Sequence, residues 1–275
     1  MCELHRLLPQ IINHCGYVCT PKSLFHRLSY LNPALTPGRQ EDAHEFWTAL
    51  AKHLQSAVVR PHTIGPRGQR KKLPITVQET SVMYKIWGGY LRSQILCTVC
   101  RKGSNTYDSI IDLSLEIRGC HSVVAALQKF TVQERLERDN RYFCAHCKVK
   151  QNAIKQLTIF DAPNILILHL KRFEFGSKID NFVRFDTTLD LTPFMSKYAK
   201  YKERGIRITY TLYAVLIHAG RYSNCGHYYC YVRTASNKWY LCNDQTIQSS
   251  SRSRVLQQNG YMFFYQRDSR KTSYL

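Results

Sequence analysis

Residues 226–244 read GHYYCYVRTASNKWYLCND. This stretch decides the fold class, because it spells two strands joined by a turn. In Gly226-His227-Tyr228-Tyr229-Cys230-Tyr231-Val232, side chains alternate between faces, so His227, Tyr229 and Tyr231 share one of them. Lys238-Trp239-Tyr240-Leu241-Cys242-Asn243-Asp244 makes the second strand. A turn over Thr234-Ala235-Ser236-Asn237, centred near Ala235, predicts a register that sets His227 opposite Asn243. Directly opposed residues have Cβ atoms about 4.5–5.5 Å apart, near enough for an amide oxygen to orient an imidazole. A turn shifted by one residue puts Asp244 there instead, which makes Asp244 the second candidate. A histidine packed in a strand beside a polar turn gives the same pattern without chemistry.

Working outward, strand patterns cover Tyr107 to Ile117, Gln156 to Phe160, Ile165 to Phe173, Tyr210 to Ile217 and Tyr261 to Arg267, with one helix near Val123 to Phe130. The N-terminal fifth is helical instead. Leu4, Leu7, Leu8, Ile11, Ile12 and Cys15 recur at helical spacing, and Leu24, Leu28 and Leu31 repeat it after Pro21. Beyond the breaks at Pro33, Pro37 and Gly38, a helix is predicted from about Gln40 to Val58 with Ala43, Phe46, Trp47, Leu50, Leu54 and Ala57 on its buried stripe. Helices first and strands afterwards predict an α+β fold. RPHTIGPRGQRKK (60–72) has five basic residues, two Pro and two Gly, and reads as an exposed loop.

The chain has 275 residues, 44% of them hydrophobic and 12% aromatic, enough for a sizeable core. No apolar run approaches the roughly 18 residues of a membrane span, and the first residues lack the pattern of a secretory signal. The cytosol or nucleus is therefore the expected compartment. The 39 Lys+Arg against 19 Asp+Glu give a net charge of +20, which suits nucleic acid, an acidic partner or simply a solvated basic surface. Eleven cysteines, an odd number, argue for metal ligation or thiol chemistry over a disulfide framework.

Cys97-Thr98-Val99-Cys100 and Cys144-Ala145-His146-Cys147 are two knuckles, each able to offer two thiolates to one ion. Together they would close a tetrahedron around a structural zinc, unless the long interval between them leaves four unconnected buried thiols. In Gly38-Arg39-Gln40-Glu41-Asp42-Ala43-His44-Glu45-Phe46, Asp42 and Glu45 stand three residues apart. They could clamp a cationic peptide from one side of a helix, or they are ordinary acids of a first helical turn.

In order and spacing, GRQEDAHEF (38–46), IWGGYLRSQILCTVC (86–100), YFCAHCKVKQNAIKQ (142–156), NILILHLKRF (164–173), GHYYCYV and WYLCND resemble the catalytic domain of the ubiquitin-specific proteases. The resemblance implies a papain-like cysteine protease with thumb, palm and zinc-ribbon fingers. One domain, 1–275, would divide into thumb helices (1–58), a basic loop (59–80), zinc-binding fingers (81–160) and a palm (161–268) carrying the His and Asn strands. It further implies thiol-dependent hydrolysis of the isopeptide bond at the C-terminus of ubiquitin, with His227 as base and Asn243 as its orienting partner. Zinc would sit on Cys97, Cys100, Cys144 and Cys147. Asp42 and Glu45 would meet the arginine-containing tail of ubiquitin, beside a channel flanked by the loop from Gly220 to Gly226. Leu170-Lys171-Arg172-Phe173 would be a structural palm strand. Partners would be ubiquitin and ubiquitinated proteins, with weak nucleic-acid association through the basic surface and no membrane. IWGGYLRS resembles a subgroup with nucleolar members, which points to the nucleus, the cytoplasm being the alternative.

The nucleophile of that family stands in a segment resembling GLxNLGNTCYMNSxLQ. No such box precedes Gly38, and Cys2, Cys15 and Cys19 lack its surroundings. The expectation is a thumb truncated at its N-terminus. The chain would be a fragment of a deubiquitinase, an inactive ubiquitin-binding relative, or a half-enzyme completed by another chain. Intact His227 and Asn243 favour the fragment. A zinc-ribbon protein held to nucleic acid is the remote alternative.

Overall fold

The computed structural model describes residues 2–13, 19–63, 74–174, 177–197, 199, 205–222 and 225–268, the side chains of Cys2, Glu3 and Thr76 excepted. Cys15, the middle of the basic stretch (64–73) and residues 223–224 lie outside the described residues.

Among the described residues six helices come first: α1 (Cys2–Asn13), α2 (Lys22–Phe25), α3 (Leu28–Leu31), α4 (Ala43–Val59), α5 (Ile75–Gln78) and α6 (Val82–Trp87). The basic stretch opens as a 3-10 turn, Arg60–Thr63, and so is ordered at its start. Helix α4 begins at Ala43, later than its periodicity suggests, because Asp42 stops it: Oδ1 accepts from the backbone N–H groups of His44 (2.8 Å) and Glu45 (3.1 Å). Of the expected stripe only Leu54 is fully buried, while Ala43, Phe46, Trp47, Leu50 and Ala57 are half-buried. The reason is that α4 covers the main sheet only with its first turns, where Ala43 and Trp47 pack on Ile167, Tyr261 and Met262.

Sixteen strands follow among the described residues. In the first half are β1 (Gly89–Cys97), β2 (Gly103–Ile110), β3 (Leu113–Glu116), β4 (Glu134–Leu136), β5 (Tyr142–Cys144), β6 (Val149–Gln151), β7 (Ala153–Asp161) and β8 (Ile165–Lys171). The second half holds β9 (Phe173–Glu174), β10 (Ser177–Lys178), β11 (Thr188–Asp190), β12 (Thr209–Tyr222), β13 (Cys225–Arg233), β14 (Trp239–Asn243), β15 (Thr246–Ser250) and β16 (Gly260–Arg267). Among the described residues two more helices, α7 (Val123–Thr131) and α8 (Arg252–Leu256), interrupt them. The large sheet runs β15-β14-β13-β12-β16-β8-β3, with β11 added beside β12. A second sheet runs β2-β1-β7-β4, and β5 and β6 form a separate hairpin.

Both faces of the large sheet are covered, so its central strands read as near-continuous apolar runs. In β16 (GYMFFYQR) six of eight residues are buried. One face holds the main core, with Leu113, Leu115, Val123, Leu127, Leu168, Val215 and Phe263; the other packs against α4. A fully buried Leu or Phe contributes about 1.5–3 kcal/mol by leaving water. Strand β3 and helix α7 lie in the stretch expected to form the fingers, yet their apolar side chains belong to this core and β3 pairs with β8 in parallel. The chain therefore leaves the palm twice to build the finger sheet.

Arg172, 1% exposed, stitches the palm with no carboxylate in bonding contact among the described residues. It donates to the carbonyls of Gly260 (2.8 Å), Ile179 (2.8 Å) and Asn181 (3.2 Å) and to Oδ1 of Asn259 (2.5 Å). Burial pushes its guanidinium down to about 10, and the fan of acceptors keeps a buried cation tolerable.

Candidate active site and metal centre

The β13–β14 hairpin closes one residue later than its sequence suggests. Thr234 N–H donates to Lys238 O (2.9 Å), and the ladder pairs Cys230 with Cys242 and Tyr231 with Leu241. His227 is therefore not directly opposite Asn243. The slip amounts to two positions, however, and two positions preserve the face of every side chain. Asn243 becomes a diagonal neighbour within reach, and His227 Nε2 lies 2.5 Å from Asn243 Oδ1. An amide oxygen only accepts, so Nε2 carries the hydrogen and Nδ1 is left as the basic nitrogen. Asp244 heads the tight turn into β15 with φ 50°, and its carboxylate is 3.9 Å from Nε2 and largely exposed. Between the two candidates, Asn243 makes the hydrogen bond. His227 stacks over Tyr229 at 6.4 Å, and Tyr229 meets Tyr231 edge-on, so the three residues do share a face.

The backbone that aims His227 is fastened from both sides. Gln40 Oε1 accepts from Gly226 N–H (2.7 Å), tying the lead-in of α4 to the residue before His227. Lys178 Nζ donates to the carbonyls of His218 and Gly220, both at 2.8 Å. A Cβ at Gly226 would overlap the His218 ring and the Ala219 carbonyl, so the approach of β12 and β13 here admits only glycine. In the sequence Gln40 is overshadowed by the carboxylates that follow it, and Lys178 has no signal at all.

Asp42 and Glu45 do not stand together as a free clamp. Asp42 spends one oxygen on the α4 cap and accepts with the other from Tyr261 O–H at 2.6 Å; Tyr261 is 2% exposed and its phenol is pushed up by burial and then by Asp42. Glu45 is exposed and accepts from Asn32 Nδ2 (3.0 Å). Asp42→Ala should therefore cost a cap, about 1 kcal/mol, and orphan a buried hydroxyl, about 1–3 kcal/mol. A chemical-denaturation loss of about 2–4 kcal/mol is expected, smaller for Asp42→Asn, which keeps an oxygen for the cap. A loss below 1 kcal/mol would show that neither contact matters.

Beside Asp42, the rings of His44 and His169 stack at 3.8 Å between helix and sheet. His169 Nδ1 pairs with Ser114 Oγ at 2.8 Å, and His44 Nε2 is 3.3 Å from Asp112 Oδ2 without hydrogen-bond alignment. Burial first, and then the facing His44, holds His169 down at about 3 from 6.5. A depressed folded value means that this stability is complete above about pH 6.5 and drains away as pH falls toward 3. Wild type should lose about 2 kcal/mol more than His169→Gln between pH 7 and 5. Parallel urea curves for the two proteins would refute this.

Cys97, Cys100, Cys144 and Cys147 gather at the end of the finger sheet, all four sulfurs within 4.8 Å of one another. The long interval is closed by pairing: β1 ends on Cys97, β7 begins at Ala153, and the two residues are partners. Each knuckle makes the same turn, with Arg101 N–H on Cys97 O (3.1 Å), Lys148 N–H on Cys144 O (2.8 Å), and Arg101 and Lys148 both at positive φ. The Cys147 N–H points at Cys144 Sγ and pulls that thiol down to about 7, whereas burial and the surrounding sulfurs push Cys147 up to about 12. Four thiolates cannot persist here with nothing positive between them, and this donor set could hold a metal.

Among the described residues, no thiol is in hydrogen-bond contact with His227, and no helix is long and apolar enough to cross a membrane. A family model described as ubiquitin carboxyl-terminal hydrolase matches residues 1–265. Over 257 residues the chain is 38% identical to "Probable ubiquitin carboxyl-terminal hydrolase 16" of Schizosaccharomyces pombe, covering 92% of this chain and 53% of that protein. It is 35% identical over 267 residues to human "Ubiquitin carboxyl-terminal hydrolase 42", covering 96% of this chain and 19% of that protein. The structure of the SAGA Ubp8/Sgf11/Sus1/Sgf73 DUB module bound to ubiquitin aldehyde superimposes with a TM-score of 0.72 at 30% identity, over 90% of this chain and 54% of the other. The chain spans about half or less of the length of these relatives. The family match over residues 1–265, sequence identity along nearly the whole chain and a shared fold place the chain in the ubiquitin carboxyl-terminal hydrolase family.

Proposed function

We propose that this chain holds ubiquitin and supplies the base for thiol-dependent hydrolysis of the isopeptide bond after ubiquitin's C-terminus, the nucleophile being carried by sequence outside these 275 residues. The carrying observation is the 2.5 Å contact between His227 Nε2 and Asn243 Oδ1. With its tautomer fixed, Nδ1 of His227 takes the proton of the attacking thiol. The imidazolium then returns it to the departing lysine amine, and in the second half Nδ1 takes a proton from the water that cleaves the thioester. Asn243 orients the ring throughout, and Asp244 adds a weak favourable field. Cys97, Cys100, Cys144 and Cys147 would hold a zinc whose role is structural, keeping the fingers that embrace ubiquitin in shape. Glu45, exposed beside the site, takes an arginine of the ubiquitin tail, while Asp42 sets the helix that presents it.

The test uses the chain itself with ubiquitin and with a fluorogenic ubiquitin substrate. Calorimetric binding of ubiquitin without turnover is expected, and turnover once a segment carrying a nucleophilic cysteine is supplied. Turnover that survives in the 275-residue chain after replacing Cys2, Cys15 and Cys19 together would contradict the placement of the nucleophile. The charge of +20 supports a nuclear location; a tagged chain spread evenly through the cytosol would remove that part.

A further inference from the structure

Cys230 and Cys242 face each other across β13 and β14, on the side of the sheet away from His227 and Asn243. The Thr234–Lys238 bond that closes the hairpin fixes the alternation of the ladder, which makes 230/242 a hydrogen-bonded pair. Such pairs have Cα atoms about 5.5 Å apart, inside the range that a disulfide spans. Both residues are half-buried, open to a small oxidant. Among the described residues only the four knuckle cysteines gather as a group able to hold a metal. Two sulfurs without further ligands are suited to thiol–disulfide chemistry instead. The pair is also the last in the ladder before His227 and Asn243, and Cys242 is bonded directly to Asn243.

We propose that Cys230 and Cys242 form a reversible redox pair, which a hydroperoxide closes into a cross-strand disulfide that re-aims Asn243 relative to His227. One thiolate attacks the peroxide, the O–O bond breaks, and a sulfenic acid forms with release of water or an alcohol. The facing thiol then attacks that sulfur, its proton leaving with the hydroxyl as water. Two thiols give up two electrons and one hydroperoxide takes them. Either thiol of the facing pair can take the oxygen, and the other resolves it. The disulfide draws the two Cβ atoms to about 3.8 Å, from about 5 Å in an open pair. Bridging directly opposed strands strains the link, and strained, accessible disulfides are the readily reduced ones. A dithiol reductant reopens it by exchange. The bond does not depend on the hydrolase reading; only its effect on a catalytic base does.

The experiment treats reduced, zinc-loaded chain with a slight excess of hydrogen peroxide, then alkylates and digests it, with zinc retention followed in parallel. Expected is a peptide pair joined through Cys230 and Cys242, reversed by dithiothreitol and absent from Cys242→Ser. In the same sample the ring resonance of His227 should shift on oxidation and return on reduction. The pair is disproved if both thiols stay alkylatable at a peroxide dose that oxidises the exposed Cys225, or if either is found bonded elsewhere. A Cys230–Cys242 disulfide that leaves the His227 resonance unmoved would disprove the coupling to Asn243.

Discussion

Purified chain is expected to contain one zinc, and Cys100→Ser to lose both the metal and the order of the finger tip. The geometry already has the required size. Zinc–thiolate bonds of about 2.3 Å arranged as a tetrahedron place sulfurs about 3.8 Å apart, and the sulfurs of Cys100 and Cys144 are 3.6 Å apart, those of Cys97 and Cys147 4.0 Å. Little else holds this end together. Seven of the eight residues of β2 are exposed, and β5 and β6 bury only Cys144 fully. Structural zinc contributes roughly 10–16 kcal/mol in isolated finger peptides, which a hairpin of three-residue strands cannot replace. Chelation should therefore raise hydrogen exchange and proteolysis across residues 97–110 and 134–151 while the palm, β3 and α7 included, stays protected by its own core. Metal-free wild type with equally protected fingers would overturn the assignment.

Periodicity carried the fold a long way. The strand at Ile165, the helix at Val123 and the strand at Tyr261 stand within a residue or two of their expected starts, because each buries a regular apolar face. The failures have local physical causes. The α4 start was displaced by a single carboxylate cap, Asp42, which periodicity does not register. The hairpin register was off by two because the loop holds Thr234 against Lys238 instead of centring on Ala235. The His227–Asn243 contact survived that error because parity, not register, decides which side chains share a face. β3 and α7 lie in the stretch assigned to the fingers, since nothing between the two knuckles signals a return to the palm core. The contacts of Gln40 and Lys178 were illegible altogether: each reaches a backbone group, Gln40 one far away in sequence, and backbone groups leave no mark on composition.

The largest catalytic effect should come from His227. In an active form supplied with the proposed nucleophile, His227→Ala is expected to lower kcat/KM for a fluorogenic ubiquitin substrate by about 10³-fold, within the usual range for losing a general acid–base. Ubiquitin affinity should change less than about twofold, since the 46%-exposed imidazole contacts Asn243 and Tyr229 and carries none of the fold. Asn243→Ala should cost less, about 10- to 100-fold, because a free imidazole still samples the right tautomer and orientation part of the time. Asp244→Asn should cost under about threefold: at 3.9 Å and 76% exposed, its carboxylate acts through water. The ranking His227, Asn243, Asp244 is thus set by one hydrogen bond and one solvent-screened contact. If Asp244→Asn proves more damaging than Asn243→Ala, the carboxylate is the orienting group and the hairpin must close differently when ubiquitin is bound. If His227→Ala retains a tenth or more of the turnover, the base lies elsewhere.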